Sequence, residues 1–192
     1  MFLNMWRITL IDFQNILNLY DVLCKKPSDI NEHLPTLKRY GETVDHITEF
    51  GVRTGRSTAA FLSANPVKMY SYDITSRKFN YQMYKSLIDK NTDFVFKECD
   101  VLKIKIEETD LLFIDTLHTY TQLNQELLLH GNKSRKYIIF HDTETFGEVG
   151  IDNKEPGLLK AIYEFIDKNP QWIIEETFTN NNGLSILRRT LL

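Results

Sequence analysis

From residue 46 onward, short apolar runs alternate with helical stretches, and this alternation constrains the fold of the 192-residue chain more than any other feature. The runs are His46–Phe50, Val67–Asp73, Asp93–Lys97, Leu111–Asp115, Tyr137–His141, Trp172–Phe178 and Leu184–Leu187. Helical spacing follows the first run (Ser57–Ser63), the second (Arg77–Lys90), the fourth (Thr121–His130) and the fifth (Pro156–Lys168). Strands separated by helices build β-α-β units, so the expected architecture is α/β, a parallel sheet covered on both faces. The last two runs are joined only by Thr179-Asn180-Asn181-Asn182-Gly183, too short for a parallel crossover, which predicts a C-terminal antiparallel hairpin.

Upstream, Ile8–Cys24 has helical spacing closed by Lys25-Lys26-Pro27, and Ser28–Tyr40 reads as a second helical region interrupted at Pro35. No repeat or low-complexity linker divides the chain. The expectation is one domain over 1–192, with 1–44 as an N-terminal helical cap and 45–192 as the core. Two stretches fit less neatly. The first strand holds His46, Thr48 and Glu49, polar for a central position, and the link Glu98–Thr109 leaves room for one or two helical turns at most.

A net charge of −3 argues against general nucleic-acid binding, and the basic clusters Lys133-Ser134-Arg135-Lys136 and Arg188-Arg189 read as a solvated loop and a strand end. Cys24 and Cys99 have no paired or metal-type spacing. No apolar run approaches a membrane span, and Met1–Leu10 lacks the apolar continuity of a signal peptide. The expected setting is reduced and cytoplasmic, with neither nucleic acid nor membrane as partner.

Chemistry concentrates first at Asp45–Ala60, DHITEFGVRTGRSTAA. A strand ends at Phe50, the turn Gly51-Val52-Arg53-Thr54-Gly55 follows, and a helix opens on Arg56-Ser57-Thr58. Two glycines four apart let the backbone bend and approach a ligand closely. The free N–H groups of the helix start attract negative charge, while Glu49 brings a carboxylate to the strand's carboxyl end. A ligand carrying both charges fits, such as an amino acid or the methionine end of S-adenosylmethionine. The spacing is not the G-x-G-x-x-G of dinucleotide folds.

Four stretches taken together, TEFGVRTGRSTAAFL (48–62), MYSYDI (69–74), LLFIDTLHTYTQLNQEL (111–127) and YIIFHDT (137–143), make the chain resemble the class I S-adenosylmethionine-dependent methyltransferases. Within them it is most similar to the small O-methyltransferases of the catechol and caffeoyl-CoA type and related sugar-cluster proteins. The resemblance implies a Rossmann-like, seven-stranded, mostly parallel sheet, S-adenosyl-L-methionine as cofactor, and a hydroxyl of a small molecule or sugar as acceptor. The alternative is a Rossmann-like relative that binds this cofactor or a nucleotide without methyl transfer.

For the cofactor, the resemblance implies Gly51, Arg53, Gly55 and Ser57 around the methionine carboxylate, with Glu49 beside them. Asp73, 24 residues after Glu49, would meet the ribose hydroxyls, Asp100 the adenine, and Asp115 the ammonium or sulfonium side. Plain readings stand beside these: a helix cap at Ser57 and a loop aspartate at Asp73. Asp115 closes an otherwise apolar strand, where a carboxylate needs partners. Asp142 closes the next strand beside His141, and matching aspartates in metal-dependent relatives bind a divalent ion with an asparagine. Here that third position is Thr143, and Glu144 or His141 stands nearby. Magnesium, calcium or manganese suits such oxygen ligands. Candidate catalytic groups are Asp115, His118 in a D-x-x-H pattern, and His141; His118 reads as a base or as a partner of Asp142. The aromatic residues Phe2, Trp6, Phe13 and Tyr40 would form a lid, a homodimer surface or ordinary helix packing.

Overall fold

The structure, a computed structural model, describes residues 13–190, so Phe2, Trp6 and the start of the first expected helix lie outside the described residues. The strands are β1 (His46–Phe50), β2 (Lys68–Asp73), β3 (Asp93–Glu98), β4 (Thr109–Ile114), β5 (Ser134–His141), β6 (Trp172–Phe178) and β7 (Leu184–Arg189). They form one sheet in the order β3-β2-β1-β4-β5-β7-β6. Strands β1 to β5 run parallel, and β7 is antiparallel to both β5 and β6. The sheet is therefore Rossmann-like and mostly parallel with a C-terminal hairpin, as the alternation predicts.

The helices are α1 (Ile16–Lys25), α2 (Leu34–Gly41), α3 (Arg56–Ser63), α4 (Tyr81–Leu87), α5 (Tyr120–His130) and α6 (Leu158–Lys168). One apolar cluster joins α1, α2 and α3 to a face of the sheet through Leu34, Leu37, Phe61, Ile47 and Phe113. A second joins α5 and α6 to the opposite face through Leu123, Phe165, Leu112, Phe140 and the fully buried Trp172. Pro35 does not interrupt its helix but sits in the first turn of α2, where its missing N–H has no intrahelical acceptor to lose. The link from β3 to β4 contains only a single 3-10 turn, Val101–Lys103. Helix α4 is shorter than its periodicity predicts, because Asn80 caps it at Met83 N–H and the chain turns extended at Ile88. No helix among the described residues is long and apolar enough to cross a membrane.

The chain runs outward from β1 through β2 to β3, then returns to place β4 on the other side of β1. This reversal makes the carboxyl ends of β1 and β4 a topological switch point, the place where sheets of this kind bind ligands.

Candidate active site

The glycine corner lies at that switch point. Gly51 and Gly55 both take φ +85°, a left-handed conformation that costs an L side chain strain. At Gly51 a Cβ would fall 1.8 Å from the carbonyl oxygen of Asp115, so the corner and the end of β4 touch backbone to backbone. The Asp115 N–H donates to Phe50 O at 2.8 Å and completes the contact. Past the corner, the first N–H groups of α3, at Arg56, Ser57 and Thr58, have no intrahelical acceptor.

Side chains around the corner are engaged with the protein itself. Glu49 is fully buried and accepts from Ser57 Oγ at 2.6 Å, Thr58 Oγ1 at 2.8 Å and Ser71 Oγ at 2.6 Å. Burial outweighs these three donors and pushes the Glu49 carboxyl up to about 7. The Ser57 hydroxyl thus points inward and leaves the backbone N–H groups to face an anion. Asp73 accepts from the N–H groups of Val52 and Arg53, both at 2.8 Å, and holds the corner in shape from the end of β2. The Arg53 guanidinium pairs with Asp29. Asp100 caps the 3-10 turn after β3 and pairs with Lys103 at 3.0 Å.

At the ends of β4 and β5 four titratable groups meet. Asp115, His118 and Asp142 offer ligand atoms that all lie within 4.8 Å of one another. His118 Nε2 lies 3.2 Å from Asp115 Oδ1 and 2.9 Å from Asp142 Oδ2. His141 Nδ1 lies 3.5 Å from Asp115 Oδ2 and 3.3 Å from Asp142 Oδ2, at ion-pair distance but out of line for a hydrogen bond. Burial opposes charge on both imidazoles, yet Asp115 and Asp142 outweigh it and push His118 up to about 9 and His141 up to about 10. Burial in turn opposes the carboxylates, and the two histidines override it, holding Asp115 and Asp142 below the usual range. His118 stacks face to face on Phe146 at 4.8 Å, which fixes its ring plane. Its Nδ1 is buried without a hydrogen-bond partner.

Other elements complete the rim. His141 Nε2 lies 3.0 Å from Asp29 O, so the segment after α1 passes over the end of β5. Glu126, buried in α5, accepts from the Thr116 hydroxyl at 2.8 Å and from Gln122 Nε2 at 2.8 Å. It braces the arm that carries Asp115 and His118. Glu144 is exposed on the next turn, whereas the Thr143 hydroxyl is buried against Ser185 Oγ at 2.9 Å. An asparagine amide does reach the cluster, but from the hairpin: Asn182 Nδ2 donates to Asp142 Oδ1 at 2.8 Å. Sequence reading misses Asn182 and Asp29, which act across 40 and 112 residues, and Glu126, which its helical pattern does not mark as buried. A run of asparagines signals only a turn.

No protein-family model matches the sequence, and no curated protein matches it. Solved structures do. An O-methyltransferase from Bacillus cereus in complex with SAH is 17% identical, covers 91% of this chain and 89% of its own, and superposes with a TM-score of 0.61. The N-methyltransferase NodS from Bradyrhizobium japonicum, in complex with S-adenosyl-L-homocysteine, is 12% identical over 91% of this chain and 98% of its own, with a TM-score of 0.62. A 1,6-didemethyltoxoflavin-N1-methyltransferase from Burkholderia thailandensis is 13% identical over 87% of this chain and 80% of its own, with a TM-score of 0.58.

The chain has the class I methyltransferase fold. In this methyltransferase fold the glycine corner, Asp73, Asp100, Asp115 and the pair His141-Asp142 all stand on one rim of the sheet, because each ends or follows a parallel strand. The donors at the ends of β4 and β5 also suit a cation: two carboxylates and an imidazole converge, with His118 Nε2 facing both Asp115 and Asp142.

Proposed function

We propose that the chain is an S-adenosylmethionine-dependent methyltransferase that moves a methyl group to a hydroxyl of a small molecule, a sugar or a phenol. The observation that carries this reading is the convergence of Asp115, His118 and Asp142 within 4.8 Å, beside a corner whose Gly51 abuts the Asp115 carbonyl. Gly51, Gly55 and the N–H groups at Ser57 receive the methionine carboxylate, and Arg53 adds positive charge once free of Asp29. Glu49 stiffens the corner from beneath; Asp73 and Asp100 line the ribose and adenine sides, and Asp115 the ammonium side.

When bound, the sulfonium supplies an electrophilic methyl, so the protein's part is to align the acceptor oxygen and give its proton a destination. The carboxylate–imidazole cluster is that destination. His118, its ring plane fixed by Phe146, would take that proton only in its neutral form, and because Asp115 and Asp142 push it up to about 9, transfer should rise as pH approaches that value. The same residues fit a divalent cation: Asp115 and Asp142 would hold it with His118, and it would supply Lewis acidity to the acceptor hydroxyl. Mixed carboxylate and imidazole donors favour manganese over magnesium or calcium. The reading carries with it a cytoplasmic setting in which Cys24 and Cys99 stay free thiols.

The alternative is cofactor binding without transfer, which likeness to methyltransferase structures does not favour. Calorimetric titration with S-adenosylmethionine and with NAD, followed by mass analysis of candidate sugars and phenols, separates the two. Binding of the first ligand alone with a gain of one methyl supports the methyltransferase, and binding without any gain supports the alternative. Binding of neither ligand refutes both.

A further inference from the structure

The loop between β6 and β7 carries three consecutive asparagines, and each amide grips a different part of the rim. Asn180 Nδ2 donates to Glu32 Oε2 at 2.6 Å, and Asn181 Nδ2 donates to Ser28 O at 2.6 Å. Asn182 turns the other way. Its Nδ2 donates to Asp142 Oδ1 at 2.8 Å, and its carbonyl accepts the N–H groups of Glu144 at 2.9 Å and Thr145 at 3.1 Å. Backbone and side chain of one residue thus clasp the turn that follows β5.

Both partners adopt a conformation that L residues rarely hold: Asp142 has φ 62° and Asn182 φ 70°. Such outliers persist only where the surroundings over-determine them, and they gather at functional sites. Their effect here is to divide the two oxygens of Asp142. Oδ1 is taken by the Asn182 amide, and Oδ2 faces His118 Nε2 at 2.9 Å. Without the amide, rotation of the carboxylate would exchange the two oxygens. With it, one defined oxygen points into the cluster.

We propose that Asn182 is a positioning residue that presents Asp142 Oδ2 to a divalent cation held with Asp115 and His118. This rests on the cation reading given under the proposed function. Outer-shell partners of this kind typically change cation affinity by about 10- to 100-fold when removed.

The test is Mn2+ titration calorimetry on the full chain, comparing wild type, Asn182→Gly and Asn181→Gly. Glycine accepts positive φ, so Asn182→Gly removes the amide while keeping the loop's backbone path and its bonds to Glu144 and Thr145. Asn181 lies in the same loop at φ 46° but its amide goes to Ser28, so Asn181→Gly reports any general loosening. The expected result is Mn2+ binding about 10- to 100-fold weaker in Asn182→Gly, near wild-type in Asn181→Gly, with similar melting temperatures for the two variants. Wild-type affinity in Asn182→Gly, or equal weakening in both variants, overturns the proposal and leaves the cation site standing. A wild-type protein that binds no Mn2+ overturns the proposal and the cation reading together.

Discussion

Glu49→Gln isolates the consequence of enclosing a carboxyl group beneath the glycine corner. Glu49 is fully buried, and its carboxyl lies at about 7 against an ordinary value of 4.5. A carboxyl raised on folding binds its proton more tightly in the native state. Its contribution is therefore complete below 4.5 and is lost as pH rises through about 7, the reverse of a salt-bridged acid. One unit corresponds to about 1.4 kcal/mol, so this shift removes about 2.5 kcal/mol between pH 5 and pH 8.5. The substituted amide carries no charge to bury, and the three hydroxyls can turn to meet it. Any fixed cost of that exchange is the same at both pH values. Glu126, also pushed up to about 7 by burial, is present in both proteins and cancels in the comparison. Urea unfolding of wild type and Glu49→Gln at pH 5 and pH 8.5 reads the effect: the variant gains about 2.5 kcal/mol relative to wild type, about 5–10 °C in melting temperature. A gap between the two proteins that stays constant within about 0.5 kcal/mol would refute the reasoning.

Gly51→Ala combines left-handed strain with a Cβ 1.8 Å from Asp115 O, so we expect a loss of about 2–4 kcal/mol in urea unfolding. It should also abolish S-adenosylmethionine binding by calorimetry, and a loss under about 1 kcal/mol would contradict the contact. EDTA should stop product formation and Mn2+ restore it; transfer that survives EDTA but not His118→Ala would make the cluster a metal-free acid–base unit. Trp172→Ala empties a fully buried site far from the rim and should cost about 3–5 kcal/mol while leaving substrate KM unchanged. A changed KM would show that the two ends of the sheet are coupled.

The strand pattern was legible because β4 and β5 are buried on both faces and write themselves as LLFI and YIIF. The corner was legible because only glycine takes φ +85° against another backbone without strain. Polar β1 read poorly as a central strand, yet His46, Thr48 and Glu49 are all buried, Glu49 through hydroxyls from α3 and β2. Those partners lie 8, 9 and 22 residues away, beyond any local pattern. Asp73, Asp115 and Asp142 were noticed because each ends or directly follows a strand-like run. Asn182 was not, since its role depends on hairpin register, which pairs His141 with Leu184 and brings the loop to Asp142. The orientation of the Ser57 hydroxyl was equally hidden: a serine at a helix start reads as a cap, whereas here it serves a buried acid.

The position of β7 carries a consequence for how the molecule comes together. It follows β6 in sequence yet lies between β6 and β5. A nascent chain with β7 still inside the ribosome must therefore leave the outer edge of β5 bare and give β6 nowhere to dock. Insertion of that strand is the event that closes the sheet, and the asparagine loop leading into it arrives at the same moment. The parallel half of the scaffold can form early, but the contact between Asn182 and Asp142 waits for the strand threaded in after all the others.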